Sequence, residues 1–232
     1  MVVLLVGGTI AWSQIGVSKA EAEPLAAVRA NPDVTITDDA AGIVLSPSDG
    51  SSDIGLVFIP GAKVDPWAYA ATLQQLSAED DITVVITKPW LNLAFFDPRP
   101  LDTFASLAPE IDLWIVGGHS LGGVRACQLA SDADALALFA SYCATDLSDS
   151  GLPVLSISGS EDGLSTPEKI ADARHLLPED AELVEIEGAS HASFGAYGPQ
   201  AGDGTPTISD AEMIAQLTDL VGDFAIEVEP AD

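Results

Sequence analysis

Apolar runs that alternate with helix-forming segments are the feature that most constrains the fold of this 232-residue chain. Six runs rich in Val, Ile and Leu are largely apolar, which predicts strands buried on both faces. Strands of this kind, separated by helices, predict a largely parallel sheet with helices on both faces. The predicted strands are 54–59, 82–87, 111–116, 135–141, 154–158 and 181–186, and the predicted helices are 66–78, 103–107, 121–131, 167–177 and 210–224.

A pair of short runs precedes these strands. Residues 34–37 and 42–46 predict a hairpin, which makes the sheet mixed, with about seven or eight strands in all. Residues 34–232 contain no internal repeat and are predicted to form a single α/β domain. The connection between the strand that ends near Ser141 and the one that begins at Val154 is too short for an inserted lid. A small, open core domain is therefore expected.

Acidic residues dominate the charge balance: Asp and Glu number 36 against 8 Lys and Arg, for a net charge of −28. Nucleic acids are bound through clustered Lys and Arg, which this chain lacks, so the sequence excludes a nucleic-acid-binding protein. Hydrophobic residues make up 47% of the chain, which predicts a folded core rather than disorder. The acidic surface suits a salty medium, where counterions screen the self-repulsion.

The N-terminal segment is mostly apolar and lacks a basic leader. We interpret residues 1–17 as a signal-anchor-like segment and residues 18–33 as a linker, with Ala20-Glu21-Ala22 as a candidate cleavage site. The protein is then expected outside the cytoplasm, either secreted or anchored in a membrane. The alternative is a first strand or core helix of a cytoplasmic protein.

Two cysteines, Cys127 and Cys143, are too few for a disulfide framework, and they lack the C-x-x-C spacing of a metal site. Cys127 falls in a predicted helix, and Cys143 follows a predicted strand. Buried free thiols are the expectation, and a bridge between the two cysteines is the alternative.

The decapeptide at residues 114–123, WIVGGHSLGG, joins a predicted strand directly to a predicted helix. A strand that meets a helix without a loop forces a tight turn with unusual backbone angles at its apex. Gly118 and Gly122 flank Ser120 at the G-x-S-x-G spacing of such a turn, which exposes a nucleophilic serine at the end of the strand. Ser120 is therefore a candidate nucleophile, although a glycine-rich turn with an incidental serine has the same local sequence.

An acid and a histidine follow two later strands. Active sites of open α/β sheets lie at the carboxyl ends of the strands, where Asp162 lies in GSEDG (159–163) and His191 ends GASH (188–191). A serine hydroxyl becomes nucleophilic when an imidazole takes its proton, and a carboxylate on the far nitrogen orients that imidazole. We assign these roles to Ser120, His191 and Asp162.

Other residues compete for the acid and base roles. Glu161 and Asp146 are alternative acids, since the first adjoins the chosen aspartate and the second follows the preceding strand. His119 precedes the nucleophile in the turn, so its side chain is expected to point away into a structural role. His175 is expected to face solvent from a helix.

The chain order Ser, Asp, His, with Ser120 in G-x-S-x-G, resembles the α/β-hydrolase superfamily. The short, lidless form is similar to small carboxylesterases and dienelactone-hydrolase-like members, and the resemblance covers residues 34–225. It implies an oxyanion hole made by the backbone N–H of Leu121 and that of Ala62, in the loop after the third strand. Where relatives often carry His-Gly-x, this chain has Pro60-Gly61-Ala62. The implied chemistry needs no metal and no organic cofactor.

Further candidates surround the predicted site. Lys63 lies at its mouth, where it pairs with an acidic side chain or, alternatively, contacts a substrate carboxylate or carbonyl. The long Gly-rich loop 195–206 is expected to frame the entrance. Aromatic residues in loops or at helix starts are candidates for a pocket that holds the acyl or alcohol group, and they are Trp67, Trp90, Phe194 and Tyr197. Three further aromatics, Tyr69, Phe95 and Phe96, are assigned to packing.

Together these features predict a serine hydrolase that cleaves small-molecule carboxylic esters through an acyl-serine intermediate. Acyl transfer or thioester cleavage would use the same three residues, so the sequence leaves the acceptor open. A binding protein on a hydrolase scaffold is a further alternative. The N-terminal segment is a candidate membrane anchor if it is not cleaved, and the oligomeric state is left open.

Overall fold

The computed structural model describes residues 13–50 and 52–228, and its centre is one mixed sheet. The eight strands are β1 (Val34–Asp38), β2 (Gly42–Pro47), β3 (Ile54–Ile59), β4 (Ile82–Thr87), β5 (Leu113–His119), β6 (Ala135–Phe139), β7 (Val154–Gly159) and β8 (Glu182–Ile186). They lie in the order β1-β2-β4-β3-β5-β6-β7-β8. β2 is antiparallel to both of its neighbours, whereas the other adjacent pairs are parallel. This confirms the predicted fold class.

Helices cover both faces of the sheet, as predicted. They are α1 (Ala22–Ala30), α2 (Trp67–Glu79), α3 (Leu101–Ala105), α4 (Leu121–Leu129), α5 (Pro167–Asp172) and α6 (Asp210–Val228). Side chains of β3 show the two layers. Leu56 and Phe58 pack in the layer that contains residues of α2 and α6, while Val57 and Ile59 pack in the layer that contains residues of α3 and α4. β3 is therefore buried on both sides, which explains its unbroken apolar sequence.

The predicted strand 111–116 is displaced in the structure. It begins at Leu113 and continues to His119, because the segment of small residues before the serine still pairs with the strands on either side. Gly118 pairs with Ile59 of β3 and with Leu138 of β6. The extra strand residues carry the chain directly to Ser120 at the sheet edge.

Residues 18–33, which the sequence predicts to be a linker, contain ordered elements. They contain α1, which buries Val28, and Ser18 forms a parallel bridge with Val64. The Ala- and Glu-rich composition suits a short helix that needs only one buried contact.

The predicted signal-anchor-like segment 1–17 lies for the most part outside the described residues, which begin at Ser13. Among the residues that the structure does describe, no helix is long and apolar enough to cross a membrane.

Cys127 and Cys143 form a disulfide, so the expectation of free thiols is wrong. Cys127 lies in α4, and Cys143 lies in the connection that leaves β6. The fold brings their Cα atoms to 5.6 Å, which is within the range that a disulfide spans. Sixteen positions separate the two residues, so only the path of the chain through β6 could reveal the pairing.

The connection between β6 and β7, residues 140–153, contains no helix and no strand. This agrees with the expected absence of a lid at that position. The parallel strands β3, β5, β7 and β8 all end at the same edge of the sheet, so the loops that follow them converge there.

Candidate active site

Ser120 lies at the apex of the turn between β5 and α4, with φ 53° and ψ −122°. The two flanking glycines make this turn sterically feasible. A Cβ on Gly122 would lie 2.0 Å from the carbonyl oxygen of Ile59, and a Cβ on Gly118 would lie 2.6 Å from the carbonyl carbon of Gly122. Any side chain at either position would collide with backbone, so the turn requires glycine at both.

The backbone of Ser120 is held on both sides. Its N–H donates to the carbonyl of Phe139 at the end of β6 (3.0 Å), and its carbonyl accepts a bond from Ser141 Oγ (2.7 Å). The serine side chain is partly exposed. The strained backbone is therefore fixed by the neighbouring strand while the residue remains accessible from solvent.

Asp162 and His191 form a buried pair at the same edge of the sheet. His191 Nδ1 lies 2.8 Å from Asp162 Oδ2, and both residues are almost fully buried. The other carboxylate oxygen, Oδ1, accepts the backbone N–H groups of Leu164 and Ser165, both at 2.7 Å. These bonds leave Oδ2 for the imidazole, so His191 donates from Nδ1 and directs Nε2 away from the carboxylate.

The alternative acids lie elsewhere. Asp146 is exposed and accepts bonds from the N–H and Oγ of Ser148 in its own loop. These bonds hold the pKa of Asp146 below its ordinary value. Glu161 is exposed as well. Of the three candidates, the structure brings only Asp162 into contact with His191.

His119 links the site to the core. Its Nε2–H donates to the carbonyl of His191 (3.1 Å), and its Nδ1 accepts the hydroxyl proton of Tyr69 (2.9 Å). Tyr69 in turn accepts the N–H of Gly61 (3.0 Å). Burial, reinforced by the charge of His191, holds the pKa of His119 well below its ordinary value of 6.5, so the ring stays neutral. The rings of His119 and His191 lie 4.4 Å apart, so His119 connects the serine turn to His191.

The comparison with known families fits this geometry. The model of the alpha/beta hydrolase family matches residues 55–215, which is more than half of the chain. The chain belongs to the alpha/beta hydrolase family. No curated protein shows significant similarity to it. Membership indicates a hydrolase, and the family's sheet edge is where Ser120, Asp162 and His191 lie.

Leu121 and Ala62 are the two residues whose backbone N–H groups the sequence assigns to an oxyanion hole. Leu121 is the first residue of α4, and Ala62 is exposed in the loop after β3. Within the described ranges, neither Leu121 N–H nor Ala62 N–H donates to another group.

Lys63 bonds to the backbone of two neighbouring segments. Its Nζ donates to the carbonyl of Ser13 (2.9 Å), and its backbone N–H donates to the carbonyl of Asn92 (2.8 Å). The backbone of Lys63 has a positive φ of 58°. Lys63 thus joins the loop that carries Ala62 to two neighbouring segments.

The predicted aromatic pocket is only partly present. Phe194 is 1% exposed and stacks on His119 at 5.8 Å, so it is a core residue rather than a pocket residue. Tyr197 is also buried and packs against Tyr69. Trp67 is partly buried beneath the guanidinium of Arg29. The segment after β8 turns back over the sheet, which explains the burial of Phe194.

Trp90 is exposed, and so are Phe95 and Phe96, which the sequence assigns to packing. The three residues lie in two short 3₁₀ turns between β4 and α3. This segment is connected to the loop after β3, which carries Ala62, through the bond between Lys63 and Asn92. An exposed apolar surface therefore lies beside the site where the sequence predicts only Trp90.

Two polar residues near the site are missed by the sequence. Tyr69 looks like packing because its hydroxyl partners come from other elements. Asp203 lies within the Gly-rich loop, and its carboxylate accepts the backbone N–H of His191 at 3.0 Å. The triplet Gly202-Asp203-Gly204 is a signal for such a role, since small neighbours let a carboxylate approach backbone groups closely.

Proposed function

We propose that this alpha/beta hydrolase is a serine esterase, similar to small carboxylesterases and dienelactone-hydrolase-like proteins, and that it cleaves small-molecule carboxylic esters. The observation that carries the proposal is the buried Asp162–His191 pair at 2.8 Å beside the strained turn of Ser120. A serine, an imidazole and a carboxylate at three strand ends are the parts that nucleophilic acyl transfer requires.

In the acylation step, Ser120 Oγ attacks the ester carbonyl while His191 Nε2 takes the hydroxyl proton. The carbonyl oxygen becomes an oxyanion, which the N–H groups of Leu121 and Ala62 stabilise; one such donor contributes about 3–4 kcal/mol in a comparable site. The tetrahedral intermediate then expels the alkoxide, which leaves as the alcohol with the proton from His191. Asp162 keeps the imidazole in the correct tautomer and stabilises its charged form.

In the deacylation step, His191 takes a proton from water, and the hydroxide attacks the acyl-serine carbonyl. A second tetrahedral intermediate forms at the same two donors. Its collapse breaks the bond to Ser120 Oγ, returns the proton from His191 to the serine and releases the carboxylic acid. The exposed aromatics around Trp90 would contact the apolar part of the ester.

The test is the hydrolysis of p-nitrophenyl acyl esters of increasing chain length, at low and high NaCl, by wild type and Ser120→Ala. Ser120→Ala should lose roughly 10⁴-fold or more in kcat, because no other group supplies the nucleophile. Ser150→Ala, which alters an exposed serine, is the matched control and should retain full activity. A fluorophosphonate should modify Ser120 in the wild type.

The same assay tests the acid. Asp162→Asn should lower kcat by about 10⁴-fold, as expected when the imidazole loses its orienting carboxylate. Asp146→Asn should have no effect. If Asp146→Asn lost activity and Asp162→Asn did not, the catalytic acid would be Asp146.

Acyl transfer and thioester cleavage remain the competing activities, because they share every step up to the acyl-serine. Addition of an alcohol acceptor separates them: an acyltransferase would form the new ester in preference to the free acid. A protein that is neither labelled nor active on any ester, at any salt concentration, would be a binding protein on this scaffold.

We also propose that the protein works outside the cytoplasm, either secreted or anchored in a membrane by its N-terminal segment. The Cys127–Cys143 disulfide supports this, because disulfides persist in oxidising compartments. Fractionation of the native cells, probed with an antibody against the protein, tests it, and recovery in the cytoplasmic fraction would contradict it.

A further inference from the structure

Asp203 is the most heavily hydrogen-bonded carboxylate near the site, although it belongs to neither of the turns that it contacts. Its Oδ1 accepts the N–H groups of Gly163 (3.1 Å), His191 (3.0 Å) and Gly204 (2.7 Å). Its Oδ2 accepts the N–H of Ala192 (2.8 Å). Three of these four donors come from outside its own loop.

The donors belong to the two turns that carry the acid and the base. Gly163 directly follows Asp162, while His191 and Ala192 begin the short 3₁₀ turn after β8. One carboxylate thus connects the backbone on one side of the Asp162–His191 hydrogen bond to the backbone on the other side.

Close backbone contacts place Asp203 between these turns. A Cβ on Gly204 would lie 1.8 Å from the carbonyl oxygen of Glu161, and a Cβ on Gly163 would lie 2.8 Å from the carbonyl oxygen of Gly202. The loop around Asp203 therefore rests directly against the acid turn, with glycines on both sides of the contact. Side chains at these positions would separate the two segments.

The electrostatics favour an ionised Asp203. Burial raises the pKa of this carboxyl, but the four backbone N–H groups outweigh burial, and the net pKa is below its ordinary value of 3.8. The nearby Tyr197 shows the effect of this charge. Burial raises the pKa of Tyr197, and the carboxylates of Asp203 and Asp162 raise it further.

We propose that Asp203 is a positioning residue that fixes the acid turn against the base turn, so that His191 keeps its bond to Asp162 through the reaction. The inference rests on the proposed function for its kinetic consequences. Its structural content, the dependence of the Asp162–His191 bond on Asp203, stands on the contacts above.

The test compares Asp203→Asn with Asp146→Asn. An asparagine has one acceptor oxygen, and its amide NH₂ would oppose either the backbone N–H of Ala192 or the donors at Oδ1. In both orientations the turn that carries His191 loses at least one of its two bonds to this side chain. Asp146→Asn is the matched control, because it also neutralises an aspartate that accepts bonds from a backbone N–H, but at an exposed loop.

Two experiments are carried out on each variant. The first measures kcat and KM on the best p-nitrophenyl ester. The second measures the far-downfield proton resonance of the His191 Nδ1–H···Asp162 bond in ¹⁵N-histidine-labelled protein. The chain has three histidines, so variants of the other two assign the signal. This readout does not depend on any activity.

In Asp203→Asn, kcat should fall roughly 10- to 100-fold with KM unchanged, as for other residues that orient a catalytic group. The downfield proton should broaden or exchange rapidly with water. Asp146→Asn should match the wild type in both measurements. A variant with normal kcat and an intact downfield proton, but a lower Tm, would show that Asp203 only anchors its loop and would overturn the proposal.

Should Asp203→Asn fail to fold, Asp203→Glu replaces it. This variant keeps the charge but adds a methylene group, so it cannot hold both turns at their present separation. A normal downfield proton and normal kcat in Asp203→Glu would then overturn the proposal.

A wild type that shows the downfield proton but neither hydrolyses esters nor reacts with fluorophosphonate would refute the esterase function alone. The proton resonance would still decide the role of Asp203.

Discussion

His119, which directly precedes Ser120, connects several parts of the candidate site through its side chain. Its ring is buried, and its two nitrogens join the hydroxyl of Tyr69 to the carbonyl of His191. Because Tyr69 also accepts the N–H of Gly61, the loop after β3 and His191 are joined by one chain of three hydrogen bonds. Only the neutral tautomer with the proton on Nε2 satisfies that chain.

Replacement of His119 should therefore change stability in a pH-dependent way. His119→Gln should lower the free energy of unfolding at pH 8 by about 1–3 kcal/mol, because it leaves a buried partner unpaired. This loss should shrink as the pH falls below 6.5, since the wild-type imidazole stays neutral while the unfolded chain takes up a proton. The free energy of unfolding of the wild type then falls by up to about 1.4 kcal/mol per pH unit, whereas that of the variant has no such contribution. Urea unfolding between pH 8 and pH 5 measures both curves.

The control for this experiment is His175→Gln, which removes an exposed imidazole. Its free energy of unfolding should stay within about 0.5 kcal/mol of the wild type throughout. Parallel pH curves for the wild type and His119→Gln would mean that the buried ring is not kept neutral.

The disulfide acts at the level of whole elements. It ties α4, which begins at the serine turn, to the connection that leaves β6. That connection also supplies Ser141, whose hydroxyl bonds the carbonyl of Ser120. The connection is thus attached both to the serine turn, through this hydrogen bond, and to the helix that follows the turn, through the disulfide.

The double variant Cys127→Ser/Cys143→Ser should be less stable by about 3 kcal/mol, because a loop of this size is no longer closed in the unfolded chain. For a domain of this length, the corresponding fall in Tm is about 6–12 °C. Differential scanning calorimetry measures the fall. Dithiothreitol should shift the wild type towards the variant and leave the variant unchanged; equal Tm values for the wild type and the variant would contradict the prediction.

The elements that the sequence predicts well are those with a local cause. The apolar run of β3 predicts a buried strand, and the glycines around Ser120 predict a tight turn. In both cases the local sequence determines the local structure, so both could be predicted. The bond between Asp162 and His191 was predictable for a related reason, because parallel strands end at one edge of the sheet. The catalytic roles of these residues remain predictions.

The elements that the sequence misses depend on contacts between distant segments. α1 buries only Val28, so its periodicity is too weak to distinguish it from a linker. Asp203 accepts bonds from the backbone N–H groups of His191 and Ala192. Nearly every residue has such a group, so the sequence does not show which residues Asp203 contacts. Phe194 lies in the core because the chain reverses after β8, and this reversal has no local signal.

Charge is a property of the molecule as a whole. Eight basic side chains cannot neutralise 36 acidic ones, so the folded state concentrates negative charge that the unfolded chain spreads out. Asp80 shows the local effect at the opposite edge of the sheet from Ser120. Burial, together with neighbours that include Glu79 and Asp219, raises the pKa of Asp80 above its ordinary value of 3.8.

NaCl should consequently stabilise the protein, because screening lowers the self-repulsion of the folded state. Tm should rise steadily from low salt to molar NaCl. Asp80→Asn should raise Tm at pH 7 and low salt by about 1–2 °C. A raised pKa means that ionisation of Asp80 destabilises the folded state as the pH rises above 3.8, so the gain should vanish at acidic pH.

Glu185→Gln, which neutralises an exposed acid at the edge strand β8, serves as the control for Asp80→Asn and should give a smaller gain. A Tm that stays constant or falls with NaCl would show that the acidic surface is not adapted to salt.

The bare connection between β6 and β7 has a kinetic consequence. With no helix or flap inserted at residues 140–153, this part of the molecule has no closed form from which it must open before the first turnover. The progress curve with a soluble ester should therefore start at full velocity without a lag. The rate should also continue smoothly through the solubility limit of a longer-chain ester, with no sudden rise when droplets appear. Stopped-flow traces test for the lag, and velocity measurements across the solubility limit test for the sudden rise in rate. Neither is expected in a protein without a lid at this position.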